Sequence, residues 1–416
     1  MDRRQDQRVV ITGMGIHSPI GSTLDDVWTS IVEGQSGTGP ITRFDPDGLD
    51  SRIAGEVKGF DPRAYLGAKE ARRADRYVQL AVAASHDACQ HAELTIDEQR
   101  ADRVGVIIGT AMGGMETIEK EIATLNSRGP DRVSPFFVPM YLADMASGYV
   151  SITLGARGPN LATLSACASA AHAIGESADI IRRGDADVMV AGGSEAAVTR
   201  GSVAGFAALQ ALSTRNDEPE TASRPFDATR DGFVIAEGAA VLVLESLEHA
   251  INRGANVLAE ISGYGATGDA AHIVQPASDG GGAARAMKLA IEKIGIVPNE
   301  VDYVNAHGTS TPMNDRLETL SVTSVFGVNA CPPISSTKAL TGHLLGAGGG
   351  IEAVFTVQAI LAQTLPPTWH YHHPDNDCQL DYVTDGPRGA VIQHALSNSL
   401  GFGGHNVSLG ISRFIE

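Results

Sequence analysis

Short apolar runs alternate along this chain with longer segments that are rich in alanine and other helix-forming residues. Residues 104–109, 188–191 and 240–244 are continuously apolar, which is typical of strands in a sheet covered on both faces. Between them lie alanine-rich segments of helical length, such as 78–92 and 168–183. The alternation predicts an α/β fold.

Turn and capping signals place further elements. Residues 8–12 form a β-rich run, and Gly13 predicts a turn directly after it. Ser22, with Asp25 three residues later, predicts a capped helix that ends at Gly34. The proline-containing stretch 365–377 is expected to be a surface loop.

Two parts of the sequence echo each other. "LATLSACASAAHAIGESADII" reads as a strand, a turn of small residues and a helix, and "PPISSTKALTGHLLGAGGGIEAVFTVQAIL" has the same order with a longer turn. The strand starts "VVITGMG" and "AEISGYG" also match loosely. The echo predicts two homologous halves, residues 1–255 and 256–416.

Composition and charge narrow the functional class. The chain has 416 residues and a formal net charge of −18, so general binding to nucleic acid is not expected. Its four cysteines are far apart and form no CxxC pair, which fits a reduced compartment. Residues 1–7 are charged and lack the apolar core of a signal peptide, and no apolar run reads as a membrane span. We therefore expect a cytoplasmic protein.

Cys167 is the first candidate for chemistry. It follows the β-like run 161–164 and precedes a helix that is predicted to begin near Ala168. A thiol at a helix N-terminus feels the positive end of the helix dipole, which lowers its pKa and favours the thiolate. The small residues around it leave room for a substrate. A buried structural cysteine is the commoner fate of a cysteine in apolar surroundings, and position alone favours that alternative slightly.

Two histidines follow β-like runs in the second half. His307 lies in "VDYVNAHGTSTP" and His343 in "SSTKALTGHLLGAGGG", and catalytic groups concentrate at strand ends in α/β folds. Either one alone is more often a hydrogen-bonded structural histidine. Two histidines in matching strand-end turns, together with the cysteine in a third turn, favour an active site.

Other motifs carry weaker signals. "LGFGGHN", residues 400–406, has glycines that permit a tight turn, which either aims backbone N–H groups at an oxyanion or is a plain hairpin. "GAGGG", residues 346–350, lacks the GKS/T ending of a phosphate loop and precedes a helix that needs tight packing. "SSTK" lacks the other motifs of penicillin-interacting enzymes. "HYHH", residues 370–373, is expected to be surface imidazoles rather than a metal site.

The segment "KEARRADR" concentrates positive charge on an acidic protein. Lys69, Arg72, Arg73 and Arg76 would share one face of a helix by their spacing. A solvated helix face is the usual interpretation. The sharper one is a docking site for an acidic partner.

Taken together, these motifs resemble the beta-ketoacyl-acyl-carrier-protein synthases, of the synthase II type of bacterial fatty-acid synthesis. "SACASA", "NAHGTSTPMND", "SSTKALTGHLLGAGGGIEA" and "SNSLGFGGHN" stand in the family's order at family-like spacing. The resemblance covers nearly the whole chain. It implies a thiolase-type fold, in which two duplicated halves build five layers, α-β-α-β-α, in a homodimer.

The resemblance also implies roles. Cys167 would carry an acyl group delivered by acyl carrier protein, and His307 and His343 would bind the malonyl thioester and drive loss of CO₂. The N–H groups of Cys167 and Phe402 would form the oxyanion hole, with Gly401 and Gly403 in the same gating loop. Pantetheine would contact Thr309 and Thr311, and Lys338 and Glu352 would support the site. No cofactor is required, but some members hold a monovalent cation, Na⁺ or K⁺, at positions that match Asn305, Glu352, Ser397 and Asn398.

This chain departs from the common family pattern at a few positions. Ser165 and Ala170 stand where Thr and Gly are common, and Leu400 replaces a Phe beside the gating loop. Met112 stands where an Ile commonly bounds the acyl pocket. Because Met is unbranched and flexible, we expect it to change the accepted chain lengths.

Three other functions remain open at this point. A polyketide or specialised-lipid ketosynthase would share these motifs. A non-catalytic partner subunit that shapes chain length would lack the nucleophilic cysteine, which this chain retains. A degradative thiolase would typically have a second catalytic cysteine near its C-terminus, where this chain has "GFGGHN".

Overall fold

The computed structural model describes residues 7–415. Its strands are β1 Val9–His17, β2 Thr38–Pro40, β3 Ile53–Gly55, β4 Val104–Gly109, β5 Asn160–Leu161, β6 Val188–Glu195, β7 Gly238–Ser246, β8 Ala259–Gly268, β9 Tyr303–Asn305, β10 Ile334–Ser335, β11 Thr364–Leu365, β12 Arg388–Gly389, β13 His394–Gly401 and β14 His405–Ser412.

The helices alternate with these strands, as the sequence pattern predicts. The α-helices are α1 Leu24–Glu33, α2 Arg63–Ala71, α3 Arg76–His91, α4 Met115–Arg128, α5 Phe137–Tyr141, α6 Met145–Leu154, α7 Ser169–Arg182, α8 Arg200–Ala208, α9 Leu247–Asn252, α10 Gly281–Ile294, α11 Pro312–Phe326, α12 Lys338–Thr341 and α13 Gly348–Ala362. Short 3₁₀ turns lie at Ala101–Arg103, Pro130–Arg132, Ala166–Ala168, Pro219–Thr221, Pro298–Glu300 and Leu345–Ala347.

The two halves of the chain repeat one sheet topology. The first half gives the strand order β5-β4-β6-β7-β1 and the second gives β10-β9-β13-β14-β8. In each set the first two pairings from the outer edge are parallel and the next two are antiparallel. A short pairing of β1 with β8 joins the two sets. This confirms the predicted duplication, and position 255 falls in the link between α9 and β8.

Two helices, α7 and α13, lie between the two sets of strands and contact both of them. Helices α3 and α6 cover the outer face of the first set, and α10 covers the outer face of the second. The layers therefore follow the α-β-α-β-α order of a thiolase-type fold. Each central helix is preceded by a 3₁₀ turn, Ala166–Ala168 before α7 and Leu345–Ala347 before α13.

The central helix α13 corrects one expectation. The stretch Leu345–Ala362 is long and apolar enough to cross a membrane by length and composition, with a mean hydropathy of 1.4, although no such run was expected. Of this stretch 89% is buried inside the protein. Its apolar character is explained by a position between two sheets, where every face of the helix is covered.

The echo between "VVITGMG" and "AEISGYG" has a packing cause. A Cβ on Gly15 of β1 would lie 2.0 Å from the carbonyl oxygen of Ala84 in α3. A Cβ on Gly265 of β8 would likewise lie 2.0 Å from the carbonyl oxygen of Ala286 in α10. In both halves, glycine lets a helix backbone rest directly on the first strand. The prediction of a turn at Gly13 was therefore wrong, because β1 continues to His17.

Other boundaries differ in smaller ways. Helix α1 is capped by Thr23, whose side chain accepts a hydrogen bond from the Asp26 N–H, rather than by Ser22. It ends at Gly34 as expected, in a left-handed conformation. The predicted loop 365–377 is only partly a surface loop, because residues 365–368 are buried.

Gly15→Ala should destabilise the protein, because the added methyl group meets helix backbone that cannot move aside without repacking. Overpacking of this kind typically costs about 1–3 kcal/mol. Gly39→Ala is the matched control, since nothing lies within 4 Å of a Cβ placed there. The measurement is the free energy of unfolding in urea. Equal stability of the two variants would contradict the packing explanation.

Candidate active site

Three turns from different parts of the chain bring Cys167, His307 and His343 together. His343 Nε2 lies 3.1 Å from Cys167 Sγ, and the two imidazole rings meet edge to face with centroids 5.2 Å apart. The side chains expose 9%, 3% and 2% of their surface, in that order. The structure thus assembles the three residues that the sequence singled out, and the structural alternatives for each as an isolated residue do not apply.

The local settings of the two histidines differ. His307 lies two residues beyond β9, at a strand end as predicted. His343 instead follows the single turn of α12, so the prediction of matching strand-end turns was wrong for this residue. Its N–H donates to the carbonyl of Val234 and its own carbonyl accepts from the Ala236 N–H, 2.7 and 2.9 Å away. An extended segment before β7 therefore fixes the backbone of His343.

The backbone is strained on both sides of the thiol. Ala166 and Leu345 have φ angles of +50° and +46°, in the left-handed region that residues with a Cβ adopt only at a cost of about 1–2 kcal/mol. The two residues occupy equivalent places, each opening the 3₁₀ turn before a central helix. Strain at these positions fits the tight turns that hold Cys167 beside His343 and carry the chain away from His343.

Burial raises the pKa of Cys167 to about 12, even though Lys338 and the N–H of Phe402 act in the opposite direction. The expected lowering by the helix dipole does not prevail, because the residue sits in the 3₁₀ turn before α7 and is cut off from water. The resting side chain is a neutral thiol. Its reaction as a nucleophile requires a base in contact with the sulfur.

Both histidines are neutral. Burial and the nearby charge of Lys338 hold the pKa of His343 well below its ordinary value, and for His307 the neighbouring His343 adds to these causes. Lys338 Nζ lies 3.5 Å from His307 Nδ1, and an ammonium group only donates hydrogen bonds. Nδ1 of His307 is therefore the acceptor, which leaves the proton on Nε2.

Lys338 is buried with a carboxylate partner. Its Nζ donates to Glu352 Oε1 and to the carbonyl of His307, the latter at 2.5 Å. Burial raises the pKa of Glu352 to about 7, and Lys338 opposes that rise. The predicted support of the site by Lys338 and Glu352 thus has a geometric basis, since the pair holds the His307 backbone.

Glu318 on α11 was not found from the sequence. Its carboxylate accepts from the N–H groups of His307 and Gly308, both at 2.8 Å, and it is 2% exposed. It therefore fixes the turn after β9. An acidic residue within an otherwise mixed helix offers no sequence signal for such a contact.

The three groups open into a cavity of about 340 Å³. Thr309 and Thr311 line it, with their hydroxyl groups 2.9 Å apart. Phe402 and Gly401 line it from the hairpin between β13 and β14. Gly403 takes a φ of +84° in that hairpin, so the "LGFGGHN" segment is both a hairpin turn and a wall of the site. The Phe402 N–H of this hairpin acts to lower the pKa of Cys167.

Three of the four residues matched to a cation site carry oxygen atoms that lack a hydrogen-bond partner. Asn305 Oδ1, Glu352 Oε2 and Ser397 Oγ are buried without a hydrogen-bond partner among residues 7–415. Asn398 differs, because its Oδ1 accepts from Ser408 at 2.9 Å. Hard oxygen ligands of this kind suit an alkali metal ion, so this donor set fits the group that the resemblance implies.

The remaining predicted residues lie outside the cavity lining. Met112 packs against the apolar cluster that contains Cys167 and Leu345, with its Sδ 3.9 Å from Ser202 Oγ. Lys69 and Arg72 are exposed. Arg73 pairs with Glu70 at 3.1 Å and stacks on the Phe136 ring.

The prediction of one basic helix face was wrong. Lys69 lies in α2, whereas Arg76 opens α3 and pairs with the buried Glu237. For "HYHH" the expectation of surface imidazoles is correct for His372 and His373, which are exposed. It is wrong for His370, which is partly buried and bonds to the Ser223 carbonyl at 3.0 Å.

Comparison with known proteins gives a consistent result. Residues 6–250 match the N-terminal domain of beta-ketoacyl synthases and residues 258–372 match the C-terminal domain. A 3-oxoacyl-[acyl-carrier-protein] synthase 2 of Synechocystis sp. is 50% identical over 100% of both chains. One from Staphylococcus aureus is 52% identical over 99% of both.

Solved structures agree in fold. A ketosynthase, solved bound to a hexaketide and in complex with a type II polyketide acyl-carrier protein, matches with a TM-score of 0.90. It is 34% identical, and the match covers 98% of this chain and 100% of that one. With both domains matched and full-length relatives at this identity, the chain belongs to the beta-ketoacyl synthase family.

Proposed function

We propose that this protein is a 3-oxoacyl-[acyl-carrier-protein] synthase of the synthase II type, which lengthens an acyl chain by condensing it with malonyl-ACP. The observation that carries the proposal is a buried thiol in contact with one neutral imidazole and close to a second. Relatives that are 50% and 52% identical over their full length bear that name.

The first step is acyl transfer. His343 Nε2 takes the proton of Cys167, and the thiolate attacks the thioester carbonyl of acyl-ACP. The pantetheine thiolate leaves and receives that proton, so an acyl-Cys167 thioester and free carrier protein result. Because burial keeps the resting thiol protonated, the 3.1 Å contact with His343 supplies the base that the step needs.

The second step is decarboxylation of malonyl-ACP. Loss of CO₂ places a pair of electrons on the remaining two-carbon unit as an enolate. Its oxygen accepts one hydrogen bond from the Nε2–H of His307, and a second from the Nε2–H of His343 once the ring proton of that residue has moved from Nδ1 to Nε2. Neutral imidazoles suit this role, because they stabilise the enolate without protonating its carbon. Lys338 keeps the His307 proton on Nε2.

Carbon–carbon bond formation completes the cycle. The enolate carbon attacks the acyl-Cys167 carbonyl, and the N–H groups of Cys167 and Phe402 stabilise the oxyanion. Collapse of the tetrahedral intermediate expels the Cys167 thiolate, which takes up one proton, and releases 3-oxoacyl-ACP. Thr309 and Thr311 hold the pantetheine arm, and the loop that contains Gly401, Phe402 and Gly403 controls access to the thioester.

The alternatives fit less well. A non-catalytic chain-length subunit would not need the contact between Cys167 and His343. A degradative thiolase would need a second cysteine beside Cys167. Cys378 lies instead in a separate apolar cluster with Phe226 and Tyr382. A polyketide ketosynthase remains the second candidate, but the polyketide relative is 34% identical against 50% for the synthase 2.

The proposed steps transfer no electrons, and the acyl groups arrive on the carrier protein and on Cys167, so we propose that no cofactor is required. An alkali metal ion, Na⁺ or K⁺, would be held by Asn305, Glu352, Ser397 and Asn398. It would satisfy three oxygen atoms that otherwise lack partners and would fix β9 and β13 beside the catalytic turn.

We further propose two protein partners. Acyl carrier protein is acidic, so a basic surface of this chain would attract it. Lys69, Arg72 and Arg73 offer such a surface. A second copy of this chain would cover the edge strand β5, whose two residues are exposed, and the exposed apolar side chains of Val138 and Leu164. Free cysteines throughout the described residues support a cytoplasmic location.

Variants of the three catalytic residues test the function. Cys167→Ala should abolish the acyl adduct. His307→Ala should still accept an acyl group but release CO₂ from malonyl-ACP about 10²–10³-fold more slowly. His343→Ala should be slow in both steps, because it loses a base and a donor. Mass spectrometry of the protein and a CO₂ assay give the readouts, and an adduct on Cys89, Cys331 or Cys378 would refute the assignment.

Charge reversal tests the docking segment. Lys69→Glu with Arg72→Glu should raise KM for acyl-ACP at low salt and leave turnover of a small acyl thioester unchanged. The effect should fade as salt rises, because exposed charges are screened within about 8–10 Å at physiological strength. Arg183→Glu with Lys288→Glu makes the same change of charge at other exposed positions and is the control. Equal losses in the two double variants would argue against a specific dock.

Met112→Phe tests the far wall of the acyl pocket. A bulkier, stiffer side chain packed against the cluster around Cys167 should shorten the range of accepted acyl chains, and each excluded methylene forfeits about 0.8 kcal/mol of binding. The measurement is kcat/KM across a series of acyl-ACP lengths. If Met112 only fills core space, activity will fall equally for all lengths and the thermal midpoint will fall with it.

A further inference from the structure

Glu195 is a buried carboxylate for which the proposed mechanism has no use. It is the last residue of β6 and is 0% exposed. The groups that bond to it are N–H and O–H donors: Ala111 N–H at 2.7 Å, Gly346 N–H at 3.0 Å and Thr110 Oγ1 at 3.1 Å. A carboxylate held only by such donors costs much to bury, so its position calls for an explanation.

Its donors come from two separate segments of the chain. Thr110 and Ala111 directly follow β4 in the first half. Gly346 lies in the 3₁₀ turn three residues beyond His343, in the second half. One carboxylate therefore ties a turn of one half to the turn that carries the catalytic base of the other.

The two segments touch only because residue 346 is glycine. A Cβ at this position would lie 2.2 Å from the Ala111 nitrogen and 2.7 Å from Glu195 Oε2. Such distances are far inside van der Waals contact. The close approach of both backbones and the carboxylate is thus a specific packing arrangement, and loss of the carboxylate would leave two N–H groups without a partner.

Both tied segments form the wall of the catalytic cavity. Ala111 and Leu345 line it beside Cys167, and Met112 packs against the apolar cluster that contains Cys167 and Leu345. A shift of one segment against the other would change the space available to an acyl chain on Cys167. We propose that Glu195 is a positioning residue that clamps these two segments and thereby sets which acyl chain lengths Cys167 accepts, an inference that rests on the proposed ketosynthase function.

The clamp also carries a charge that changes near neutrality. Burial raises the pKa of Glu195 to about 7, against the hydrogen bonds that lower it. Its negative charge in turn raises the pKa of the Cys167 thiol. The titratable and charged groups that face one or other of these two residues are Tyr77, Lys338, Glu352, His307 and His343. Glu195 differs from these groups because it both bonds to the segments that line the cavity and raises the pKa of the Cys167 thiol.

Two substitutions separate the clamp from the charge. Glu195→Gln keeps an oxygen for the Ala111 and Gly346 N–H groups, and its NH₂ group can donate to Thr110 Oγ1, whose hydroxyl rotates freely. It therefore preserves the clamp and removes the charge. Glu195→Asp keeps the charge, but the side chain is one methylene shorter and cannot bond both segments at once.

Asp75→Asn is the matched control. Asp75 is also buried, at 3% exposure, and its carboxylate accepts from Thr117 and from the Tyr77 N–H. Burial raises its pKa as well. Asp75 caps α3 and does not line the cavity. Asp75→Asn therefore measures the effect on the protein of losing a buried carboxylate that lies outside the site.

Acyl transfer to Cys167 from a series of acyl-ACP lengths gives the first readout. We expect Glu195→Asp to change the ratio of long-chain to short-chain kcat/KM by about 10-fold or more, in line with the cost of small misplacements at a reacting centre. Glu195→Gln and Asp75→Asn should leave that ratio unchanged. A uniform loss across all lengths in Glu195→Asp, or the same change of ratio in Asp75→Asn, would overturn the proposal.

The pH profile of Cys167 alkylation by iodoacetamide, located by mass spectrometry, gives the second readout and needs no ketosynthase activity. Glu195→Gln should move the profile to lower pH, because a negative charge near the thiol is gone, while Glu195→Asp should keep the wild-type profile. An unchanged profile in Glu195→Gln would refute the electrostatic link. Failure of the wild type to release CO₂ from malonyl-ACP would instead count against the proposed function, with the alkylation result unaffected.

Discussion

The contact between His343 Nε2 and Cys167 Sγ, 3.1 Å long and shielded from water, is the constraint on which the active site depends. In water a thiol ionises without help near its ordinary pKa, but in this setting burial suppresses ionisation. The sulfur can become a nucleophile only through a neighbour that takes its proton. The neighbour must itself be neutral, and the same burial that protects the thiol also keeps His343 uncharged.

The charged pair behind the histidines follows from this arrangement. A dry site that must stabilise an enolate needs fixed donors, and Lys338 fixes His307 through its carbonyl and its ring. Burying one ammonium group alone would be prohibitive, so Glu352 accompanies it. Glu318 holds the neighbouring N–H groups of the same turn. Lys338, Glu352 and Glu318 together thus hold the neutral imidazole of His307 in place.

Much of this could be predicted from the sequence, for reasons that differ between residues. The apolar run 104–109 predicted both ends of β4 correctly, because a strand buried on both faces has no polar positions. Cys167, His307 and His343 were singled out as candidates because each stands in a turn after a β-like run. Their roles were assigned by the resemblance to the family rather than by spacing.

What escaped the sequence depends on contacts between distant segments. Glu318 and Glu195 bond to backbone N–H groups that lie many residues away, and no local pattern marks a carboxylate for such a task. Gly13 was predicted to form a turn, because a glycine in the sequence looks the same whether it bends the chain or lets a helix backbone approach closely. The lowered pKa expected for Cys167 failed since burial outweighs the dipole of a helix, and burial is a property of the whole fold.

The repeated 3₁₀ turns before α7 and α13 have a consequence for how such an enzyme could arise. Ala166 and Leu345 are counterparts with the same left-handed backbone, yet the first turn presents a nucleophile while the second follows a base. An ancestral half that paired with its own copy would have placed two identical turns face to face across a twofold axis. Fusion of such copies would have broken that symmetry and allowed each turn to specialise; in this chain the thiol lies in the first half and both imidazoles lie in the second.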